Sequence, residues 1–148
     1  MILDVGANVG YYSLLFAKWL KGLGVVHAFE PFPATASRLR RNLELNPDLQ
    51  GIIRLHQVAL SDRAETVSMA VPDSTNSGCN YLSNDLAGAI PMLTLDGFVE
   101  REKLARIDFL KVDIEGSEVA FLRGGDYSAF PSCDHDRSQF LDTQALGT

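Results

Sequence analysis

The sequence has few cysteines and few basic residues, and it lacks long apolar runs. Only Cys79 and Cys133 occur in 148 residues, without a Cys-x-x-Cys pair, so a disulfide framework is excluded and a reducing compartment is favoured. Thirteen basic against nineteen acidic residues give a formal net charge of -6, whereas nucleic-acid binders normally carry a basic stripe. No apolar run approaches the ~18 residues of a membrane span. We therefore expect a cytoplasmic protein that binds neither nucleic acid nor a membrane.

The composition that remains is that of a globular domain, with 46% hydrophobic and 22% charged residues. Apolar runs that predict strands alternate with segments of helical periodicity. The predicted strands are 1–5, 25–29, 52–60 and 107–114, and the predicted helices are 11–20, 33–45, 95–104 and 117–122. Short connections between them predict an α/β fold with a doubly wound, mostly parallel, Rossmann-like sheet. Residues 72–88, rich in Asp, Ser, Asn and Gly, are predicted to form a loop or a small hairpin.

The first predicted strand leads through a glycine turn at residues 6–10 into a helix, and the strand end and the turn together have the sequence LDVGANVG at residues 3–10. Gly6 and Gly10 allow the backbone to approach a ligand closely, and the helix N-terminus supplies N–H groups and a positive dipole. The Gly-x-Gly-x-x-Gly pattern of dinucleotide sites is broken, because Asn8 and Tyr11 occupy its second and third glycine positions. The turn therefore favours a nucleoside with a charged, non-phosphate tail, namely S-adenosylmethionine. A nicotinamide dinucleotide remains the weaker alternative.

Acidic residues stand at the ends of the predicted strands. They are Asp4, Glu30, Asp62 and the pair Asp113 and Glu115. Because ligands of open parallel sheets bind beyond the carboxyl ends of the strands, we expect these acids to share one crevice. Glu30 stands 20 residues after Gly10, where a ribose-binding carboxylate belongs. The alternative is that Asp and Glu simply favour turns and helix N-termini.

Asp113 and Glu115 are two residues apart on a predicted strand, so we expect them to project to the same side as Lys111. One interpretation makes Asp113 a general base for an acceptor hydroxyl, or makes the pair a polar clamp that aims it. A second interpretation is metal binding, but one strand end supplies too few ligands, so we predict no metal site. A third is an internal ion pair between Lys111 and Asp113, with Glu115 starting a helix.

Five aromatic or imidazole side chains are assigned structural roles. His27 and His56 alternate with apolar neighbours inside strands, and we expect buried, hydrogen-bonded histidines. Tyr11, Tyr12 and Trp19 are expected in the core, although Tyr11, beside the glycine turn, could touch a ligand.

Several motifs together resemble the FkbM family of methyltransferases, which have the class I S-adenosylmethionine-dependent fold. The motifs are DVGANVG at 4–10, FEP at 29–31, Asn42, VALSD at 58–62, TLD at 94–96 and KVDIEG at 111–116. The resemblance covers about residues 2–125. It implies O-methylation of hydroxyls on sugars, polyketides and related small molecules.

The resemblance also implies a role for individual residues. Asp4, Gly6, Asn8 and Gly10 would line the methionine and ribose part of S-adenosylmethionine. Glu30 would hold the ribose hydroxyls, with Pro31 and Phe32 beside the adenine. Asp62, with Ala59 to Ser61, would lie near the other edge of the adenine.

The chain departs from the family after Gly125. A complete fold of this class has seven strands, and we find four core strands, which predicts a sheet that is incomplete at the C-terminus. We expect a partial cofactor-binding domain at 1–125 and a divergent, disordered tail at 126–148. The fourth strand would then be an exposed edge carrying Phe109, which is an aggregation liability. A non-catalytic remnant that keeps only the cofactor crevice is therefore an alternative function.

Overall fold

The protein is described by a computed structural model, which covers residues 1–68, 89–127 and 129–130. The loop predicted at 72–88 and the tail from 131 onward lie outside these ranges. Within them, each helix falls short of the length and apolar character that a membrane span requires.

The described elements follow the predicted alternation of strands and helices. The strands are β1 Ile2–Val5, β2 Val26–Phe29, β3 Ile53–His56, β4 Ala59–Leu60, β5 Glu65–Ser68, β6 Ala89–Leu93 and β7 Phe109–Val112. The helices are α1 Tyr11–Leu20, α2 Pro33–Glu44, α3 Leu95–Glu102 and α4 Glu118–Arg123, with a short 3-10 helix at Pro47–Leu49.

Four of these strands form a parallel sheet in the order β3-β2-β1-β7. Val5, the last residue of β1, stands opposite Phe29 of β2 and Val112 of β7. These three strands therefore end at the same level, and the turns that follow them meet at one edge. The predicted α/β class with a mostly parallel sheet is confirmed.

The single strand predicted at 52–60 is wrong. The run divides into β3, which belongs to the parallel sheet, and β4, which joins a second sheet of order β4-β6-β5. In this second sheet β4 runs parallel to β6, while β5 runs antiparallel to β6. After the chain has left the first sheet, Val58 and Leu60 are buried in the same core cluster as Phe98. The sequence therefore stays apolar although the strand has ended. An apolar run by itself does not show which sheet its residues join.

The tyrosines and the tryptophan of α1 are not in the core, so that prediction is wrong. Tyr11, Tyr12 and Trp19 are 71%, 45% and 65% exposed, respectively. The buried residues of α1 are instead Ser13, Phe16 and Ala17. The physical reason is that Ser13, although polar, occupies a buried position because it has a buried hydrogen-bond partner, described below. The three aromatic side chains consequently fall outside the buried face.

The predicted hydrogen bonding of the two histidines is confirmed. His27 Nδ1 lies 2.9 Å from His56 Nε2, and the planes of the two rings differ by only 8°. His27 is fully buried and His56 is half-buried.

Candidate functional site

A cavity of about 290 Å³ lies at the edge of the sheet where β1, β2 and β7 end. Its volume is close to the lower end of the roughly 300–1,000 Å³ typical of small-molecule sites. The residues that line it are Val5, Gly6, Ala7, Asn8, Val9, Tyr11, Tyr12, Phe29, Glu30, Pro31, Phe32, Thr35, Val58, Ala59, Leu60, Lys111, Asp113, Ile114, Glu115 and Ser117. This is the place where open α/β sheets bind their ligands.

The turn after β1 forms one wall of the cavity and depends on close backbone approach. Gly6 has a φ of 77°, and a Cβ at this position would lie 1.9 Å from the carbonyl oxygen of Asp113. Gly6 therefore allows the turns after β1 and β7 to touch. Asn8, with a φ of 51°, also lines the cavity. Gly10 does not line it; its φ is 89°, and its missing side chain leaves room for Leu39 of α2.

The first turn of α1 also reaches the cavity. Tyr11 and Tyr12 both belong to its lining, so the position of Tyr11 agrees with the expectation that it could touch a ligand. The ring of Tyr12 has the ammonium group of Lys111 5.3 Å from its centroid, within the range of a cation–π contact. Both rings are therefore exposed, and part of the surface that they expose lines the cavity.

Glu30 follows β2 and places a carboxylate at the cavity while only 4% of the residue is exposed. The backbone N–H of Asn8 donates to its Oε2 at 2.9 Å, and the N–H of Phe32 donates to its Oε1 at 3.0 Å. Burial raises the pKa of Glu30, and these hydrogen bonds and the charge of Lys111 oppose that rise. A carboxylate can accept about four hydrogen bonds, so capacity remains for a ligand. Pro31 and Phe32 line the cavity beside it.

Asp4 lies beneath the turn rather than in the cavity lining, and it is fully buried. The hydroxyl of Ser13 donates to Asp4 Oδ2 at 2.6 Å. Lys111 Nζ lies 3.1 Å from Asp4 Oδ1 and donates to the carbonyl oxygen of Gly6 at 2.9 Å. The carboxylate of Asp4 thus joins β1, α1 and β7. The ion pair between Lys111 and Asp113 that the sequence suggested is present but longer, at 3.7 Å.

Asp113 and Glu115 both line the cavity, and both are exposed. They lie on a turn and not on the predicted strand, because β7 ends at Val112. Glu115 has a φ of 44° and Gly116 a φ of 95°, so two consecutive residues are left-handed. Left-handed backbone in residues other than glycine is uncommon and recurs at functional sites.

Ser61 and Asp62 lie outside the cavity lining, which is formed here by the apolar residues at 58–60. Ser61 is buried, and Asp62 is paired with Arg63 at 3.4 Å. In this segment the lining of the cavity ends with Leu60, the last residue of β4, and both residues follow this strand of the second sheet. Their contact with a cofactor stays a prediction.

The acids that the structure brings together are therefore three of the five that the sequence predicted. Glu30, Asp113 and Glu115 line the cavity, whereas Asp4 and Asp62 do not. In the ranges that the structure describes, no three His, Cys, Asp or Glu side chains form a group that could hold a metal.

Two polar side chains whose roles the sequence did not reveal support the glycine turn. Asn42 of α2 donates from Nδ2 to the carbonyl oxygen of Val9 at 2.8 Å, and Ser13 of α1 holds the carboxylate beneath the turn. A signal for both was present in the helical period. Asn42 follows buried Leu39 by three residues, and Ser13 precedes buried Phe16 by three, so each polar residue falls on an inward face.

Comparison with known proteins is consistent with this geometry. The sequence model of the family described as "Methyltransferase FkbM domain" matches residues 4–134. Methyltransferase sdnD of Sordaria araneosa is 33% identical, over 84% of this chain and 60% of its own length. Hexuronic acid methyltransferase AglP of Haloferax volcanii is 28% identical, over 82% of this chain and 48% of its own length.

A third relative, 31-O-demethyl-FK506 methyltransferase FkbM of Streptomyces tacrolimicus, is 30% identical over 88% of this chain and 61% of its own length. The chain thus spans about half to three fifths of the length of these curated relatives. A crystal structure of methyltransferase FkbM from Methylobacillus flagellatus shares the fold, with a TM-score of 0.58 and 22% identity. The match covers 83% of this chain and 28% of the solved one. Because the family model matches most of its length, the chain belongs to the FkbM methyltransferase family.

Proposed function

We propose that residues 1–125 bind S-adenosylmethionine in the cavity, as the cofactor-binding part of a methyltransferase that acts on a hydroxyl of a small molecule or sugar. The observation that carries the proposal is the position of Glu30. Its buried carboxylate is held by two backbone N–H groups and retains acceptor capacity at the cavity. A carboxylate that accepts from both ribose hydroxyls makes a charge-assisted contact that also orients the nucleoside.

The charge of the cavity supports a cofactor with a cationic group. Three carboxylates line it, from Glu30, Asp113 and Glu115, against the ammonium group of Lys111. That ammonium group is already engaged by Asp4 and by a carbonyl oxygen of the glycine turn. A sulfonium is attracted by this field, whereas the charges of a pyrophosphate would be repelled. The nicotinamide alternative is correspondingly weakened.

The lining supports an orientation for the nucleoside. Val58, Ala59 and Leu60 give the cavity an apolar wall, and Phe32 lies two residues after Glu30. A planar base suits such a surface, since small-molecule sites combine apolar walls with a few polar groups. The methionine part would then extend along the glycine turn toward the acids that follow β7.

The residues of the chain have separate tasks in the proposed reaction. S-adenosylmethionine supplies, when bound, a methyl group that is already activated on a sulfonium. Glu30 holds the nucleoside, while Asp113 and Glu115 orient the acceptor hydroxyl and Asp113 accepts its proton. Orientation of the two reactants accounts for most of the acceleration, and general base catalysis contributes about 10²–10⁴-fold.

The acceptor class is proposed from the names of the relatives. One is named for a hexuronic acid, which is a sugar acid, and another for an O-demethylated form of FK506. Both names denote hydroxylated small molecules or sugars, and this is the class that we carry to the present chain.

The first test is calorimetric titration of the chain with S-adenosylmethionine, with NAD as the comparison ligand. We expect binding of S-adenosylmethionine only, and we expect Glu30→Gln to weaken it about tenfold or more, the equivalent of one charged hydrogen bond. Glu44→Gln, on the exposed side of α2, is the matched control and should bind normally. Equal affinity in Glu30→Gln and the control, or binding of NAD alone, contradicts the proposal.

A second measurement separates the enzyme from the non-catalytic alternative. Transfer of a labelled methyl group to uronic acids and to hydroxylated macrolides should be assayed with the same preparation. Cofactor binding without transfer to any acceptor would favour a chain that binds the cofactor but does not catalyse.

A further inference from the structure

The turn after β7 contains a strained segment, and some interaction must stabilise its backbone conformation. Glu115 and Gly116 are consecutive left-handed residues, and Glu115 meets a steric cost there that glycine does not. Such a conformation persists only where neighbouring groups hold it. The turn also presents Asp113 and Glu115 to the cavity, so whatever holds it decides where these carboxylates lie.

The group that holds this turn is the carboxylate of Glu118. The N–H of Gly116 donates to its Oε2 at 2.8 Å, and the N–H of Ile114 donates to its Oε1 at 3.3 Å. The two bonds flank Glu115 on either side. Glu118 is the first residue of α4, which is anchored in the core by the fully buried Phe121. The carboxylate therefore connects the strained turn to a packed part of the fold.

The position of this turn affects the neighbouring wall of the cavity, which the glycine turn forms. The N–H of Asp113 donates to the carbonyl oxygen of Val5 at 3.0 Å. The carbonyl oxygen of Asp113 fills the space that a side chain on Gly6 would need. A displacement of the turn after β7 would consequently displace the glycine turn against which it packs.

We propose that Glu118 is a positioning residue, whose carboxylate holds the turn at 113–116 in the form that presents Asp113 and Glu115 to the cofactor cavity. Glu118 is not part of the cavity lining, so it acts through the backbone. The proposal rests on the proposed function in one respect, since S-adenosylmethionine is the ligand whose affinity reports the position of the turn.

The experiment compares Glu118→Ala and Glu118→Gln with Thr94→Ala, each titrated with S-adenosylmethionine at a temperature where all variants are folded. Thr94→Ala is the control for a helix cap outside the cavity, because Thr94 caps α3 by accepting from the N–H of Gly97 at 3.0 Å. We expect Glu118→Ala to weaken binding about tenfold, because the turn without its two hydrogen bonds would adopt the binding form in only about one tenth of the molecules. Glu118→Gln keeps one acceptor and should fall in between, whereas Thr94→Ala should lower the melting temperature and leave affinity unchanged.

Backbone amide exchange is the second readout and requires no ligand. The amides of Ile114 and Gly116 should exchange faster in Glu118→Ala than in Thr94→Ala. Wild-type affinity in Glu118→Ala, or an equal loss of affinity in Thr94→Ala, overturns the proposal. If the unmodified chain binds no S-adenosylmethionine, the proposed function is contradicted instead, and the exchange rates then decide the role of Glu118: unchanged rates at both amides overturn it.

Discussion

Gly6 shows how one residue can determine the shape of a site. Its φ is left-handed, a conformation that glycine adopts without steric cost. A glycine with such a φ is expected in a tight turn that directly follows a strand. Residue 6 must also lack a side chain, because the carbonyl oxygen of Asp113 occupies the space that a Cβ would need. Asp113 is distant in the sequence and lies beside Gly6 only through the fold. Gly22 has a similar φ of 82°, but nothing lies within 4 Å of its missing side chain. Gly6 therefore combines a backbone constraint with a lack of space, and Gly22 has only the first.

The buried histidine pair predicts a dependence of stability on pH. Burial lowers the pKa of His27 from 6.5 to about 4, with further lowering by the charges of His56 and Arg54, and burial likewise lowers the pKa of His56. Between pH 6.5 and 4 the unfolded chain therefore binds more protons than the folded one. The stability that depends on neutral His27 is full above pH 6.5 and falls by up to about 3 kcal/mol as the pH approaches 4.

The measurement is urea unfolding of the wild type and of His27→Asn across this pH range. Asn can keep a hydrogen bond to His56 but does not titrate. The free energy of unfolding of the variant should therefore depend less steeply on pH than that of the wild type, and the remaining dependence is the contribution of His56. A slope that is unchanged in His27→Asn would show that His27 does not cause the dependence.

At the scale of elements, the contact between Lys111 of β7 and Asp4 of β1 joins two neighbouring strands through their side chains. Asp4 is fully buried, so removal of the ammonium group would leave a buried charge without its counter-ion. We expect Lys111→Met to lower the free energy of unfolding by about 3–5 kcal/mol. Lys18→Met, at an exposed position of α1, should have little effect.

A double-mutant cycle identifies the cause of that loss. In the double variant, Asp4→Asn removes the buried carboxylate that Lys111→Met leaves without a counter-ion. The double variant should therefore be more stable than the sum of the two single losses implies. Additive losses in urea unfolding would mean that the ion pair contributes no coupling energy, contrary to this prediction.

At the scale of the whole molecule, β7 pairs with β1 on one side, and no described strand pairs with its other side. Phe109 on β7 is 49% exposed, although its ring packs edge-on against Phe16. An unpaired strand that carries an exposed aromatic side chain is prone to association. We therefore predict concentration-dependent self-association of this chain, reduced by Phe109→Lys.

Sedimentation velocity over a range of concentrations measures this association. Leu23→Lys is the matched control, because Leu23 is a 91% exposed apolar residue and the substitution changes the net charge equally. Equal reduction by both variants would assign the effect to charge, and no association of the wild type would refute the prediction altogether.

The sequence by itself determined the parallel sheet, the bounds of α1, and the positions of the glycine turn and Glu30. These features depend on local patterns, since alternation of short strands and helices permits few topologies and glycine marks the turn. Tertiary structure alone decided that Asp4 lies beneath the cavity and that Asp62 follows a strand of another sheet. The physical reason is that a carboxylate at a strand end has the same sequence pattern whether it faces a ligand or a lysine of a neighbouring strand. Its partner, Lys111, is brought beside Asp4 only by the pairing of β1 with β7.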